Sequence, residues 1–250
     1  MFIPIGDDNS RRRTFPFVVW GPFVVWGLVL LNAYVWYLEL KYGQPFMATY
    51  AAIPFEISHG QDLISPQFIA LHNERILIPQ GAGPDPIYLT IFTSMFMHGS
   101  WMHIIGNMVY LLIFADQIED EMGHLPFLLF YILAGVGACL AQTYADPNSI
   151  IPCVGASGAI AGALGAYLIL HPTNRVRVLF FRSLIVLPAW IVLGFWIVLQ
   201  GMGHVGGTAA GARGGVAYMA HIGGFIVGFI VSIAMRLRSK RSRHRNSFSR

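Results

Sequence analysis

Long apolar runs separated by short polar stretches dominate this chain. The hydrocarbon core of a bilayer is about 30 Å thick, so a crossing helix needs about 20 apolar residues. Residues 15–38, 87–115, 125–145, 183–203 and 216–235 meet that length and predict spanning helices. A sixth apolar run, 157–170, holds only 14 residues. At about 1.5 Å of rise per residue it reaches only about 21 Å. His171, Pro172 and the arginines that follow anchor its inner end, so its other end, Ser157, should start below the outer surface. The preceding stretch, 150–156, is apolar but broken by Pro152 and Gly155, and is expected to enter the membrane as a loop. Non-helical backbone at that depth is tolerated where it is buried in protein or lines a wet cavity. Ser157 is therefore expected at the floor of a water-accessible pocket. The fold class expected is all-α: a polytopic, six-helix membrane bundle with a short fourth helix.

Composition agrees with this pattern. The 250 residues are 55% hydrophobic and 11% charged, with a mean hydropathy of +0.58, whereas a soluble domain is usually about 25% charged. The net charge of +4 does not point to nucleic acid, because the cations lie at the flanks. With the N-terminus inside, the inner segments hold Arg11–Arg13, then Arg175, Arg177 and Arg182, then seven Lys and Arg from Arg236 to Arg250; the outer segments hold only Lys41, Arg75 and Arg213. The positive-inside rule thus predicts that both termini are cytoplasmic. A basic N-terminus over 1–14, a membrane domain over 15–236 and a basic tail over 237–250 are expected, in a plasma membrane. The tail is also a candidate for contact with anionic lipid. Cys139 and Cys153 form neither a metal motif nor a disulfide framework and read as free thiols. The outer segment 41–86 reads as a long loop lying partly in the interface. Residues 201–215, with Gly201, Gly203, Gly206, Gly207, Gly211, Gly214 and Gly215, read as a mobile outer loop.

Ionisable side chains within spans are costly and mark function by default. Those here are His98, His103, His204 near a helix end, and His221, joined by the neutral Asn107. His103 and Asn107 are four apart and share a helix face. Gly158, Ala161, Gly162, Gly165 and Ala166 line one helix, and Gly224 and Gly228 recur four apart on the last. Small residues let helices approach closely in lipid. Packing these two faces would bring His221 and Ser157 to similar depth. A serine needs an adjacent base to become a nucleophile, and a tetrahedral intermediate needs donors aimed at its oxyanion. The Ser157 N–H at a helix N-terminus is one candidate donor; the side chains of His103 and Asn107 are others. His98 reads as structural, bonding backbone in the first outer loop, and His204 as a loop residue facing water.

The run Gly155-Ala156-Ser157-Gly158 resembles the GxSG motif of the rhomboid intramembrane proteases. His103-x-x-x-Asn107 resembles their second-helix motif, and Ala220-His221-x-x-Gly224-x-x-x-Gly228 is similar to their last-helix motif. Glu119 and Gly123 resemble the family's ExxxG turn. The resemblance covers roughly residues 90–235. It implies a Ser157–His221 dyad without an aspartate, and an oxyanion site of Asn107, His103 and the Ser157 N–H. It also implies cleavage of substrate transmembrane helices near the outer face, with no metal and no cofactor. A mobile cap over 201–215 and candidate gate residues Trp190, Phe195 and Trp196 follow from it; the bland reading of those aromatics is a lipid-facing belt. Two positions depart from the pattern. Leu89-Thr90 stand where many members carry Trp-Arg, and Ala161 stands where some carry a tyrosine that stacks on the histidine.

Two other classes compete with the enzyme. A rhomboid-like protein that binds membrane helices without cutting them would be expected to lose the nucleophile or base, and both are present. A transporter or channel with a histidine relay would call for acidic or paired charges at mid-membrane, which the predicted spans lack.

Overall fold

The computed structural model describes residues 2–7, 21–71, 74–209 and 216–247. Among them five helices are long and apolar enough to cross a membrane. These are α1 (Phe23–Tyr42), the continuous helix Trp101–Met122, α7 (His124–Ala145), α9 (Ala189–Ala209) and α10 (Tyr218–Ser247). The second consists of α5 (Trp101–Tyr110), a π turn over Leu111–Ala115 and α6 (Asp116–Met122). Large apolar side chains point outward from them, among them Leu30, Leu129 and Ile230, as a lipid-facing surface requires. The chain is a mostly helical, multi-pass membrane protein.

The short helix α8 (Ser157–Leu170) is the centre of the bundle and is buried from Gly158 to Tyr167. It can be buried so fully because its side chains are small. A Cβ on Gly224 of α10 would lie 2.0 Å from the Gly158 carbonyl oxygen, and one on Gly228 would lie 1.8 Å from that of Gly162. On the opposite side, a Cβ on Gly162 would fall 2.4 Å from the Ala134 methyl of α7. Lipid offers no hydrophobic drive for helix association, so close packing of this kind supplies the attraction. The Arg236 guanidinium donates to the Ile169 carbonyl at 2.9 Å, placing a cation at the C-terminal end of α8.

Several predicted boundaries are corrected. The run 87–115 is not one helix. A short helical stretch that includes α4 (Thr90–Thr93) ends at Met97, whose backbone is extended. A new helix starts at Trp101, capped by the Ser100 side chain, which accepts from the His103 amide. The run 183–203 also divides. Residues Ser183–Pro188 form strand β5, paired antiparallel with β4 (Arg175–Phe180), and α9 begins only at Ala189. A third strand, β1 (Phe2–Asp7), pairs with β4 and completes a three-stranded sheet. Tyr167 donates to Asp7 at 2.6 Å, and Asn174 donates to Gln117 at 2.8 Å, tying that sheet to the helices. The expected outer loop 41–86 folds into α2 (Gln44–Tyr50), α3 (Pro54–His59) and the hairpin β2 (Gln67–Leu71)–β3 (Glu74–Ile78). The expected loop 201–215 is helical as far as Ala209, which puts His204 on a helix; 210–215 lie outside the described residues. The first span is described from Phe23, while 8–20 lie outside.

Buried carboxylates hold these pieces in place. Glu119, fully buried, accepts from the Val24 and Val25 amides at 2.9 and 2.8 Å and contacts His124. Those amides are unpaired donors in the first turn of α1, so Glu119 caps that helix from a distance. Gly123, at φ +82, turns the chain from α6 into α7. In the outer segment Glu56 is buried and accepts from the Leu63 amide at 2.9 Å. Burial pushes its carboxyl from 4.5 up to about 7; the nearby Asp62 adds to the rise and the Leu63 amide opposes it. A carboxyl raised in the folded state stabilises the fold in its protonated form. That contribution is complete below the unfolded value and is lost as pH rises through about 7. Comparing melting curves at pH 5 and pH 8 should therefore show a larger loss in the native chain than in Glu56→Gln. Equal losses would rule the coupling out.

Candidate active site

The stretch ahead of α8 is pinned by the 41–86 segment and by Ser94. Ala52 and Cys153 exchange backbone hydrogen bonds at 2.8 and 3.3 Å, the Gly155 amide donates to the Ser94 carbonyl at 2.9 Å, and Gln80 donates to the Ile150 carbonyl at 2.9 Å. Non-helical backbone is thus satisfied by protein at the point where α8 begins. Gly155 has φ +133, a conformation that L side chains rarely adopt, and a Cβ there would lie 2.8 Å from His103 Nε2. Only glycine lets the chain pass this close to that imidazole. Ser157 follows as the first residue of α8 and is half-buried. Its amide lies in the first turn, where helical N–H groups lack intrahelical partners. Cys153 is four residues away. Both cysteines are free thiols.

His221 comes from the first turn of α10, and its Nε2 lies 2.8 Å from Ser157 Oγ. The glycine contacts at Gly158–Gly224 and Gly162–Gly228 set the two helices at the separation this bond needs. The opposite ring nitrogen, Nδ1, is 2.7 Å from Gln200 Oε1 of α9. Trp196, one turn earlier on α9, lies with its ring centroid 5.7 Å from the imidazole at an interplanar angle of 38°. Neither Gln200 nor the inward placement of Trp196 was expected. The aromatic neighbour of His221 thus comes from α9 and not from position 161, whereas Trp190 and Phe195 are exposed.

His103 and Asn107 lie on α5, on the other side of Ser157. The Gly99 amide approaches His103 Nδ1 at 3.4 Å. A nitrogen that accepts an N–H carries no proton, so the proton sits on Nε2, the atom facing Gly155 and Ser157. Asn107 is buried, and its Nδ2 has no hydrogen-bond partner among the described residues. A buried amide donor normally finds an acceptor, so this unpaired one stands out. The Ser157 hydroxyl is thus bonded to an imidazole at a helix N-terminus, with His103 Nε2 beside Gly155 and the unpaired Asn107 amide one turn further along α5. His98 lies edge-on to His103 with centroids 5.0 Å apart, and its backbone amide is held by the buried Glu39 carboxylate of α1 at 3.0 and 3.1 Å. His204 lies one turn beyond Gln200 on α9.

Comparisons with known proteins agree with this architecture. A family model described as Rhomboid domain matches residues 86–238. The chain is 25% identical to "RHOMBOID-like protein 1" of Arabidopsis thaliana over 231 residues, which cover 89% of this chain and 56% of that one. It is 29% identical to "RHOMBOID-like protein 5" of the same plant over 148 residues, 59% of this chain and 44% of the relative. It is also 30% identical over 167 residues to "Rhomboid protease GluP" of Bacillus subtilis (strain 168), 66% of this chain and 28% of the relative. The chain spans about half the length of the first curated relatives it matches. With the family model covering more than half of its residues, the chain belongs to the rhomboid family.

Proposed function

We propose that this protein is an intramembrane serine endopeptidase that hydrolyses peptide bonds in or near the transmembrane helices of other membrane proteins. The observation that carries this reading is the 2.8 Å contact between Ser157 Oγ and His221 Nε2 at the buried start of α8. His221 takes the hydroxyl proton as Oγ attacks the scissile carbonyl carbon. The oxygen of the tetrahedral intermediate, now negative, receives hydrogen bonds from Asn107 Nδ2, His103 Nε2–H and the Ser157 amide. Collapse expels the amine, which takes the proton back from His221 and leaves an acyl ester on Ser157. Water, deprotonated by His221, then releases the acid. A membrane helix has all its backbone groups internally paired, so its peptide bond must unwind before it reaches Ser157. Helices with small or helix-weakening residues near the outer face are the substrates this favours.

In this reading α8 is the sixth crossing, the membrane domain runs over 15–236, both termini are cytoplasmic and the site opens outward in a plasma membrane. The basic tail 237–250 lies against anionic headgroups of the inner leaflet.

A serine-directed fluorophosphonate tests whether Ser157 is activated. Labelling at Ser157 in the purified protein, lost in His221→Ala, is expected. No label above the Ser157→Ala background would instead favour a protein that binds membrane helices without cutting them. Asn107→Ala should lower kcat by about 10²-fold or more if it donates to the oxyanion; unchanged kcat in a cleavage assay removes it from that role.

A further inference from the structure

His221 is approached from α9 as well as from α8. Gln200 Oε1 is 2.7 Å from Nδ1 of the imidazole, and Gln200 Nε2 is 3.4 Å from the Trp196 carbonyl on the same helix. The second contact fixes the sense of the first. A carbonyl can only accept, so the amide nitrogen belongs on the Trp196 side and the amide oxygen faces the imidazole. The oxygen in turn can only accept, so the proton of the neutral ring sits on Nδ1. The lone pair of Nε2 is then directed at Ser157 Oγ, 2.8 Å away. Without this acceptor both tautomers would be populated, and the one protonated at Nε2 cannot receive the serine proton. Trp196 lies against the ring at a tilt of 38°, with centroids 5.7 Å apart.

We propose that Gln200 is the positioning residue of His221, a neutral third member that orients the base through its Nδ1–H. This rests on the reading of Ser157 and His221 as nucleophile and base. A carboxylate in the same place would orient the ring and also stabilise an imidazolium, but a buried anion at this depth carries a large desolvation cost. The amide supplies the acceptor without the charge. Because Gln200 and Trp196 both come from α9, the base is fully oriented only while α9 is seated against α10.

Among the described residues the other titratable groups near the ring are His103 of α5, His204, one turn beyond Gln200 on α9, and Tyr218, one turn earlier on α10 and packed against Gly203. The test is therefore a pH profile in which only residue 200 changes. The rate of fluorophosphonate labelling at Ser157 is measured from pH 5 to pH 9 in the native protein, Gln200→Leu and Gln200→Glu, with Ser157→Ala as background and melting curves as a control for folding. Gln200→Leu should slow labelling by about tenfold or more across the range, since the base loses its fixed tautomer. Gln200→Glu should keep a substantial plateau but move the acidic limb up by about 1–3 pH units, because an adjacent carboxylate favours the imidazolium. A purely structural glutamine would change the melting curve and leave that limb in place. Labelling of Gln200→Leu at the native rate, or a Gln200→Glu limb that coincides with the native one, overturns the proposal while leaving the dyad intact. Failure of the native protein to label above the Ser157→Ala background overturns the dyad, and the role of Gln200 with it.

Discussion

Ser157→Ala and His221→Ala should each reduce cleavage of a membrane substrate to background while leaving the melting curve close to native. When a nucleophile and its base act as a unit, losing either costs on the order of 10⁶-fold in kcat. The double variant should be no worse than either single one, because the second change removes a partner that has already lost its function. The fold should tolerate both changes, since the Oγ–Nε2 bond is one contact in a bundle held elsewhere by helix packing. Rates are measured in detergent or liposomes against background hydrolysis. Native-level turnover by either single variant would remove that residue from the chemistry.

The largest effect on stability is expected at Gly224 and Gly228. Gly224→Val would put a branched side chain where even a Cβ falls 2.0 Å from the Gly158 carbonyl oxygen, and Gly228→Val where it falls 1.8 Å from that of Gly162. In both cases the obstacle is backbone, not the movable end of a side chain, so α8 and α10 must separate. Overpacking typically costs about 1–3 kcal/mol and more where the backbone has to move. Separation also lengthens the Ser157–His221 contact, so these variants should lose activity as well as melting temperature. Gly194→Ala on α9, where an added Cβ meets nothing within 4 Å, serves as the control and should melt like the native chain. A Gly224→Val protein with a native melting curve would contradict the packing of α8 against α10.

The chemistry was more legible in the sequence than the fold around it. Polar groups inside apolar runs are conspicuous, and Ser157, His221, His103 and Asn107 stood out for that reason. Their helical spacing also carried information, since Gly158 and Gly162 match Gly224 and Gly228 across one interface. The helix break at 97–100 was masked because Met95–Met97 and Trp101–Met102 on either side are as apolar as a span, although His98-Gly99-Ser100 between them supplies a polar residue, a glycine and a capping serine. The break depends on the Ser100 cap and on Glu39, 59 positions earlier, holding the His98 amide. Strand β5 was hidden in the same way, since Leu184, Ile185, Val186 and Leu187 suit a membrane helix equally well. Its partner gave a signal that could have been read: Arg175-Val176-Arg177-Val178 alternates with the period of a strand, and both valines are fully buried. Gln200 gave no signal at all. A glutamine near the glycine-rich end of a span is ordinary, and its role depends on a contact with His221, 21 positions away. For Trp196 the sequence offered a gate or a lipid-facing belt, and neither reading anticipated its contact with His221.

The central claim is that Ser157 cuts within or beside the helix of another membrane protein. The most direct measurement reconstitutes the purified protein in liposomes with a tagged single-span substrate whose helix carries small, helix-weakening residues near its outer end. The products are mapped by mass spectrometry, with Ser157→Ala run in parallel. The account predicts a cut close to the outer membrane face that Ser157→Ala does not make. A substrate that is bound but left intact by the native protein, or cut equally by Ser157→Ala, would contradict it.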